Sequence, residues 1–275
     1  MQHTNPSSAT ASPAASSPEL PAPGGLCAIH QPNLFPRLTT LAKLFAADYW
    51  IVLDDVQFAR RDYQHRTRLA DIDDPARRQW LTTPTHLPHG RPTLVRDAQI
   101  SAPGLALRRV KGMLRQYFGA SPFWPDLAQV LEPVLNAIAT GRTAMVAECS
   151  TRVLLDLLGW QGRILRSSRL PARTGRSQRL ADLASHTGAR GYLCGTGGMK
   201  YLDADLFITS NITVIPFRTP SDRLWTTGRE ISVLHPLMRF GPAVLAGLLK
   251  GVASNQDAHA AAGLSGSAST HPSGT

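Results

Sequence analysis

Apolar and polar positions along the chain fall into runs that predict alternating strands and helices. Leu26-Cys27-Ala28-Ile29 is a continuous apolar run ending at His30-Gln31-Pro32, the pattern of a buried strand that leaves its sheet at a proline. Residues 38–47 place Leu38, Leu41, Leu44 and Phe45 on one helical face. Tyr49-Trp50-Ile51-Val52-Leu53 is a second buried strand, and it ends at Asp54-Asp55. Strand, helix and strand within about thirty residues predict a βαβ unit with parallel strands. Both polar clusters then stand at the carboxyl ends of parallel strands, the edge at which open α/β sheets bind ligands.

Farther along, Trp80-Leu81-Thr82-Thr83 reads as a short strand running into Pro84, residues 104–118 as a helix, and residues 126–139 as a helix broken at Pro133. Residues 143–158 form a long amphipathic helix ending at Gly159, Arg163–Arg166 a strand, and residues 177–187 a helix. Gly191-Tyr192-Leu193-Cys194 is a strand feeding Gly195-Thr196-Gly197-Gly198, Thr213–Phe217 a last strand, and residues 231–240 and 242–250 helical pieces. The fold class expected is α/β: a Rossmann-like, mostly parallel sheet flanked by helices, with disordered N- and C-terminal tails. The tails are residues 1–24, whose only acid is Glu19, and residues 252–275, whose only formal charge is Asp257. Neither has the apolar surface to offset the entropy of ordering. Residues 25–251 are then one α/β domain.

Composition narrows the chemistry. The 275 residues are 43% hydrophobic and carry a formal net charge of +10, almost all of it from arginine, since lysine occurs only at Lys43, Lys111, Lys200 and Lys250. A basic protein points to an anionic partner: nucleic acid, acidic lipid or a phosphorylated small molecule. The partner expected is a small-molecule anionic substrate or a carrier-bound acyl donor. Nucleic acid is disfavoured: there is no zinc-finger spacing, no aromatic RNP-like strand and no basic heptad helix. Cys27, Cys149 and Cys194 are scattered and odd in number, which fits a reducing, cytoplasmic setting and no metal site. The N-terminus lacks the pattern of a signal peptide, and no run reaches the ~18 apolar residues of a membrane span.

Candidate chemistry gathers at the strand ends. His30 can serve as a general base or cap its own loop. Asp54 and Asp55, if Asp54 ends the strand, point to opposite faces; one can bind a metal or a substrate amine while the other takes a nearby arginine, or both can accept backbone N–H bonds as a turn. Arg60, Arg61, Arg66 and Arg68 follow; their planar forks suit a phosphate or carboxylate, and ion pairs to Asp54, Asp55 and Asp62 are the alternative. Gly195–Gly198 can lay backbone N–H groups around an anion or be only a tight turn. Cys194 is a candidate nucleophile, but no histidine stands beside it in sequence and a buried strand-end thiol is usually inert; His86 and His89 lack a third ligand, so no metal is expected there.

Several blocks, in order, resemble the WbqC-like protein family. They are Ile29-His30-Gln31-Pro32-Asn33-Leu34-Phe35-Pro36, Ala47-Asp48-Tyr49, and Leu53-Asp54-Asp55-Val56-Gln57-Phe58 with Arg61, Gln64, Arg66 and Arg68. Trp80–Pro84, Gly188–Gly198 with Tyr201-Leu202, and Ser232-Val233-Leu234 leading to Gly241 complete the set. The resemblance spans residue 26 to about 250. It implies a bacterial protein associated with O-antigen, capsule or specialised-metabolite biosynthesis. The activity it implies is a transferase or amide-forming ligase that acylates an amino sugar or a related intermediate, with a nucleotide or acyl donor. A site assembled on these blocks takes His30, Asp54 and Asp55 as catalytic residues. Gln31, Asn33, Gln57, Arg61, Gln64, Arg66, Gly195, Gly197, Gly198 and Tyr201 would hold the substrate. The order strand, His/Pro loop, helix, strand, Asp and glycine turn is similar to the layout of HUP-type adenylate-forming enzymes, without their HxGH or KMSKS-like signatures.

The chain departs from the family at three places. Arg37 stands where relatives usually have Trp, His235 where they usually have Asp, and Ser221–Trp225 replaces a tyrosine-containing stretch. Those departures open a second reading, a non-catalytic binding or scaffold member of a biosynthetic complex. The basic core leaves a third, nucleic-acid binding.

Overall fold

The structure is a computed structural model that describes residues 25–266. In chain order its elements are β1 (Leu26–His30), α1 (Leu38–Phe45), β2 (Tyr49–Val52), β3 (Arg66–Ala70), β4 (Arg78–Thr82), β5 (Thr85–His86), β6 (Gln99–Ile100), α2 (Pro103–Phe118), α3 (Trp124–Val130), α4 (Glu132–Ile138) and α5 (Thr143–Leu157). They continue with β7 (Arg163–Arg166), α6 (Arg176–Ser185), β8 (Gly191–Cys194), α7 (Asp205–Ile208), β9 (Thr213–Pro216), α8 (Arg223–Thr227), α9 (Leu234–Phe240) and α10 (Pro242–Gly266).

Five strands form one parallel sheet in the order β7-β2-β1-β8-β9. Strand alternation sends side chains to two cores. Leu26, Ala28, Trp50 and Val52 pack with α1, α5 and α10 on one face; Cys27, Ile29, Tyr49 and Ile51 pack with Leu183 of α6 and Phe207 of α7 on the other. Burial on both faces is what turns these strands into continuous apolar runs. The α/β architecture, with its parallel sheet between helical layers, is the one expected from the sequence. Among the described residues no helix is long and apolar enough to cross a membrane.

The connectivity locates a special boundary. The chain leaves β1 for β2 on one side, then returns after β7 to lay β8 on β1's other side. The β1–β8 boundary is therefore the topological switch point, where open sheets form their ligand crevice. Pairing there is short. β1 and β8 are in register only at Leu26↔Gly191 and Cys27↔Tyr192. By contrast β1–β2 stays paired to His30↔Val52, and β8–β9 to Cys194↔Pro216. The sheet thus opens between β1 and β8 towards its carboxyl edge.

Several elements differ from the pattern-based expectation. The helix expected over 126–139 is two helices that meet at Leu131, not Pro133; the proline sits in the first turn of α4, where its missing N–H costs nothing. The strand expected at 80–83 is one arm of an antiparallel hairpin whose other arm is β3. α10 runs to Gly266, so helix replaces the expected tail as far as that residue. The rest of that tail, and residues 1–24, lie outside the described residues.

Candidate functional site

The loop after β1 is held from three directions. Phe35 is buried with a positive φ of 42°, a conformation that costs an L-residue of order 1–3 kcal/mol and persists only when its surroundings enforce it. Its N–H donates to Ser150 Oγ of α5 at 2.9 Å, and its carbonyl accepts from Thr67 Oγ1 of β3 at 2.9 Å and from Ser232 Oγ at 3.0 Å. Two residues earlier, Asn33 O accepts from Thr151 Oγ1 at 3.0 Å. Leu34 N–H donates to Tyr63 O at 2.8 Å.

This loop fixes His30. Its Nδ1 lies 2.7 Å from Gln31 O. A carbonyl only accepts, so Nδ1 carries the proton and Nε2 keeps its lone pair. Although His30 retains some accessible surface, protein packs closely around the ring. Burial pushes its pKa down to about 3, and the charges of Lys43 and Arg37 push the same way against the Gln31 hydrogen bond. His30 is therefore a neutral imidazole with one defined proton acceptor.

Lys43, on α1, reaches into the opening of the sheet. It is 6% exposed, and its Nζ donates to Ile29 O at 3.3 Å, a carbonyl just beyond the last β1–β8 register pair. Burial lowers its pKa to about 8; Cys194 and Cys27 raise it, and Arg37 lowers it. Across the opening stands Gly195, where an added Cβ would meet only Lys43 Nζ, at 4.0 Å. The loop then folds over the Cys194 sulphur: a Cβ on Gly198 would lie 2.6 Å from Sγ, so glycine is required there. Burial raises the Cys194 pKa, which keeps the thiol protonated at neutral pH.

Sequence reasoning missed Lys43. The signal was present. α1 buries every residue but Thr39, so a lysine in the middle of it interrupts an otherwise enclosed helix in a chain that uses arginine nearly everywhere else.

Asp54 and Asp55 have other partners. Asp54 is 6% exposed; its Oδ1 accepts from Ser168 N–H at 3.0 Å and Ser167 Oγ at 3.1 Å, and its Oδ2 from Ser168 Oγ at 2.8 Å. Asp55 accepts from Ser167 Oγ as well and pairs with Arg179 of α6 at 2.5 Å. The expectation that the two carboxylates point to opposite faces is corrected. β2 ends at Val52, alternation lapses, and both side chains converge on Ser167 at the end of β7. The strand ends carry His30 and the aspartates as neighbours, but they share no hydrogen-bond partner.

The remaining expected residues divide. Gln64 Nε2 donates to Gln31 Oε1, with Gln64 1% exposed. Asn33 is 2% exposed, and neither of its side-chain polar atoms has a partner among the described residues. Gln57 Nε2 donates to Arg91 O at 2.7 Å and ties down a neighbouring loop. Arg66 is used structurally: it donates to Arg61 O at 2.5 Å and Asp62 O at 3.2 Å and stacks 4.4 Å from the Trp80 ring. Arg68 covers the same ring at 4.7 Å and pairs with Glu230. Arg61 is exposed, and Tyr201 carries the Arg176 guanidinium 3.2 Å above its ring. Gly195, Gly197 and Gly198 flank the opening, with nothing within 4 Å of a Cβ built on Gly197. Arg37 lies 4.2 Å over Tyr63, while His235 is buried on α9, beside Asp71 and Ile72. Among the described residues no three His, Cys, Asp or Glu side chains could hold a metal ion. A depression of about 580 Å³ beside Arg96 and Arg142 contains none of these residues.

Residues 31–230 match the model of the WbqC-like protein family. The chain is also 24% identical over 190 residues to the uncharacterised protein Rv1507c of Mycobacterium tuberculosis (strain ATCC 25618 / H37Rv). That similarity covers 69% of this chain and 80% of the relative. No solved structure matches.

Proposed function

The chain belongs to the WbqC-like protein family, and from that premise we propose that it is an amide-forming acyltransferase or ligase acting on the amine of a small biosynthetic intermediate such as an amino sugar. One observation carries the reading: a neutral histidine with a single defined acceptor atom, Nε2, stands at the carboxyl end of β1 beside the switch-point opening.

The step is proton removal coupled to acyl transfer. The substrate nitrogen attacks the donor carbonyl carbon, and His30 Nε2 takes the proton that the nitrogen sheds. The tetrahedral intermediate collapses, the bond from carbonyl carbon to leaving group breaks, and the leaving group departs with the electron pair as a thiolate or phosphate. An anionic donor beside Lys43 offsets one of the two cations that depress His30, so donor binding itself makes the imidazole more basic. In this reading the half-buried Gln31, whose Oε1 is held by the buried Gln64, would meet the sugar hydroxyls, with the buried Asn33 in the same loop. Arg61, Tyr201 and the Gly195–Gly198 loop would hold the donor in this reading. Asp54 acts as an anchor in this scheme, since both its carboxylate oxygens are engaged, and Asp55 is held through Oδ1 by Ser167 and Arg179.

The test is a product screen by mass spectrometry. It incubates the purified protein with acyl-CoA donors, or with carboxylic acids plus ATP, and nucleotide-linked amino sugars. The expected result is an N-acylated sugar, formed about 10²–10⁴-fold more slowly by His30→Gln. Amide formation untouched by His30→Gln would remove the histidine from the mechanism. Donors that bind without any amide product would favour the scaffold reading.

A further inference from the structure

We propose that the opening between β1 and β8 is a binding site for a phosphate group, with the Lys43 ammonium as its principal ligand. The inference deepens the reading above by naming the donor's chemistry, but the site stands or falls on binding alone.

Three observations combine. The first is the break in strand pairing. β1 and β8 are in register at only two positions, and beyond them Ile29 O turns to a side chain, Lys43 Nζ, at 3.3 Å. The second is charge. Lys43 is 6% exposed, and among the described residues no carboxylate pairs with it; the groups that bear on it are the thiols of Cys194 and Cys27, which burial keeps protonated at neutral pH, and the like-charged Arg37. An ammonium removed from water without a counter-ion is strongly unfavourable, and an apolar side chain of the same length would suit α1 better. Its retention calls for an anion to complete the site. The third is space. A Cβ on Gly195 would meet nothing but Nζ at 4.0 Å, and one on Gly197 would meet nothing at all. Among the described residues nothing accepts a hydrogen bond from the Thr196 or Gly197 amides, so the rim offers further donors.

The donor set selects phosphate over carboxylate. A planar carboxylate is matched by a guanidinium fork, and the arginine that bears on Lys43, Arg37, lies over the Tyr63 ring and donates to Arg229 O, while Arg66 and Arg68 are committed to Trp80, to loop carbonyls and to Glu230. A compact ammonium with backbone N–H groups around it is instead the arrangement that cradles a tetrahedral oxyanion.

The experiment is calorimetric titration of the full chain with inorganic pyrophosphate, alongside thermal unfolding without ligand. The wild type is expected to show saturable binding that falls at least tenfold in Lys43→Met, while ligand-free Lys43→Met melts at the same temperature as the wild type or higher. Gly195→Val, which fills the space facing Nζ and keeps the charge, is expected to weaken binding to a similar degree. His30→Gln should still bind pyrophosphate, which separates this site from the acyl-transfer reading. Binding that survives both Lys43→Met and Gly195→Val would place the anion on surface arginines and overturn the proposal. No saturable binding by the wild type, with a lowered melting temperature in Lys43→Met, would overturn it too and make the lysine a prop for the Ile29 carbonyl.

Discussion

At the scale of single residues, the two charged groups nearest the strand ends have opposite surroundings, and that difference assigns their roles. Asp54 has every oxygen occupied by Ser167 and Ser168, whereas Lys43 has one carbonyl and open space. Asp54→Ala should therefore cost about 1–3 kcal/mol in urea unfolding, because the half-buried Ser168 N–H and the buried Ser167 hydroxyl lose an acceptor. Asp54→Asn keeps an acceptor oxygen and should recover most of that loss. If Asp54→Asn were as stable as the wild type yet inactive, the aspartate would be catalytic and not an anchor. The sequence showed an aspartate at the end of a buried strand but not what it faced. Its partners lie more than a hundred residues away, and only the placement of β7 beside β2 brings Ser167 and Ser168 to it. Lys43 was hidden for a different reason. Helical periodicity ranks apolar positions, and a lysine between Leu41 and Leu44 reads as snorkelling until the packing on both sides is known.

At the scale of elements, the runs at Leu26, Tyr49 and Gly191 were legible because strands buried on both faces read as continuous apolar segments. The β3 arm was not: Arg66-Thr67-Arg68-Leu69 alternates charged with uncharged residues, and its arginines look like surface until Trp80 is seen beneath them. That hairpin matters because Thr67 on β3, Ser150 on α5 and Ser232 ahead of α9 together enforce the Phe35 conformation that aims the His30 loop. Removing one of the three should loosen the loop without unfolding the sheet. Ser150→Ala leaves Phe35 N–H buried without an acceptor and should destabilise the protein by about 1–3 kcal/mol. It should also slow amide formation, although Ser150 lies under the loop and not in the opening. Chemical unfolding and the product assay read the two effects separately, and full activity in Ser150→Ala would mean that Thr67 and Ser232 suffice to hold the loop.

At the scale of the whole molecule, three histidines are kept neutral by burial: His30 at the end of β1, His65 ahead of β3 and His235 on α9. Burial holds His30 down to about 3 and His65 to about 4, so both stay uncharged in the fold while the unfolded chain protonates them from pH 6.5 downward. The unfolded state then binds more protons than the native state, and stability falls as pH falls. This contribution is fully present above pH 6.5 and is lost progressively towards pH 3. Each histidine supplies a slope of about 1.4 kcal/mol per pH unit, so His30 and His65 together should remove about 3–4 kcal/mol between pH 6.5 and 5. Asp182, which Arg173 holds well below the usual carboxylate range, adds a loss of the same sign in stronger acid. The alkaline side carries no such single direction. Lys43, depressed to about 8, makes the fold more stable as pH rises past that value, whereas Cys27, pushed up to about 12, makes it less so. The acid limb is therefore the clean one. Urea unfolding at pH 7 and pH 5 should show a clear drop in midpoint, and His65→Gln should reduce the drop while leaving the His30 loop intact. A midpoint independent of pH over that range would mean that the histidines reach water and protonate in the folded protein, and His30 would then lose its standing as a sequestered base.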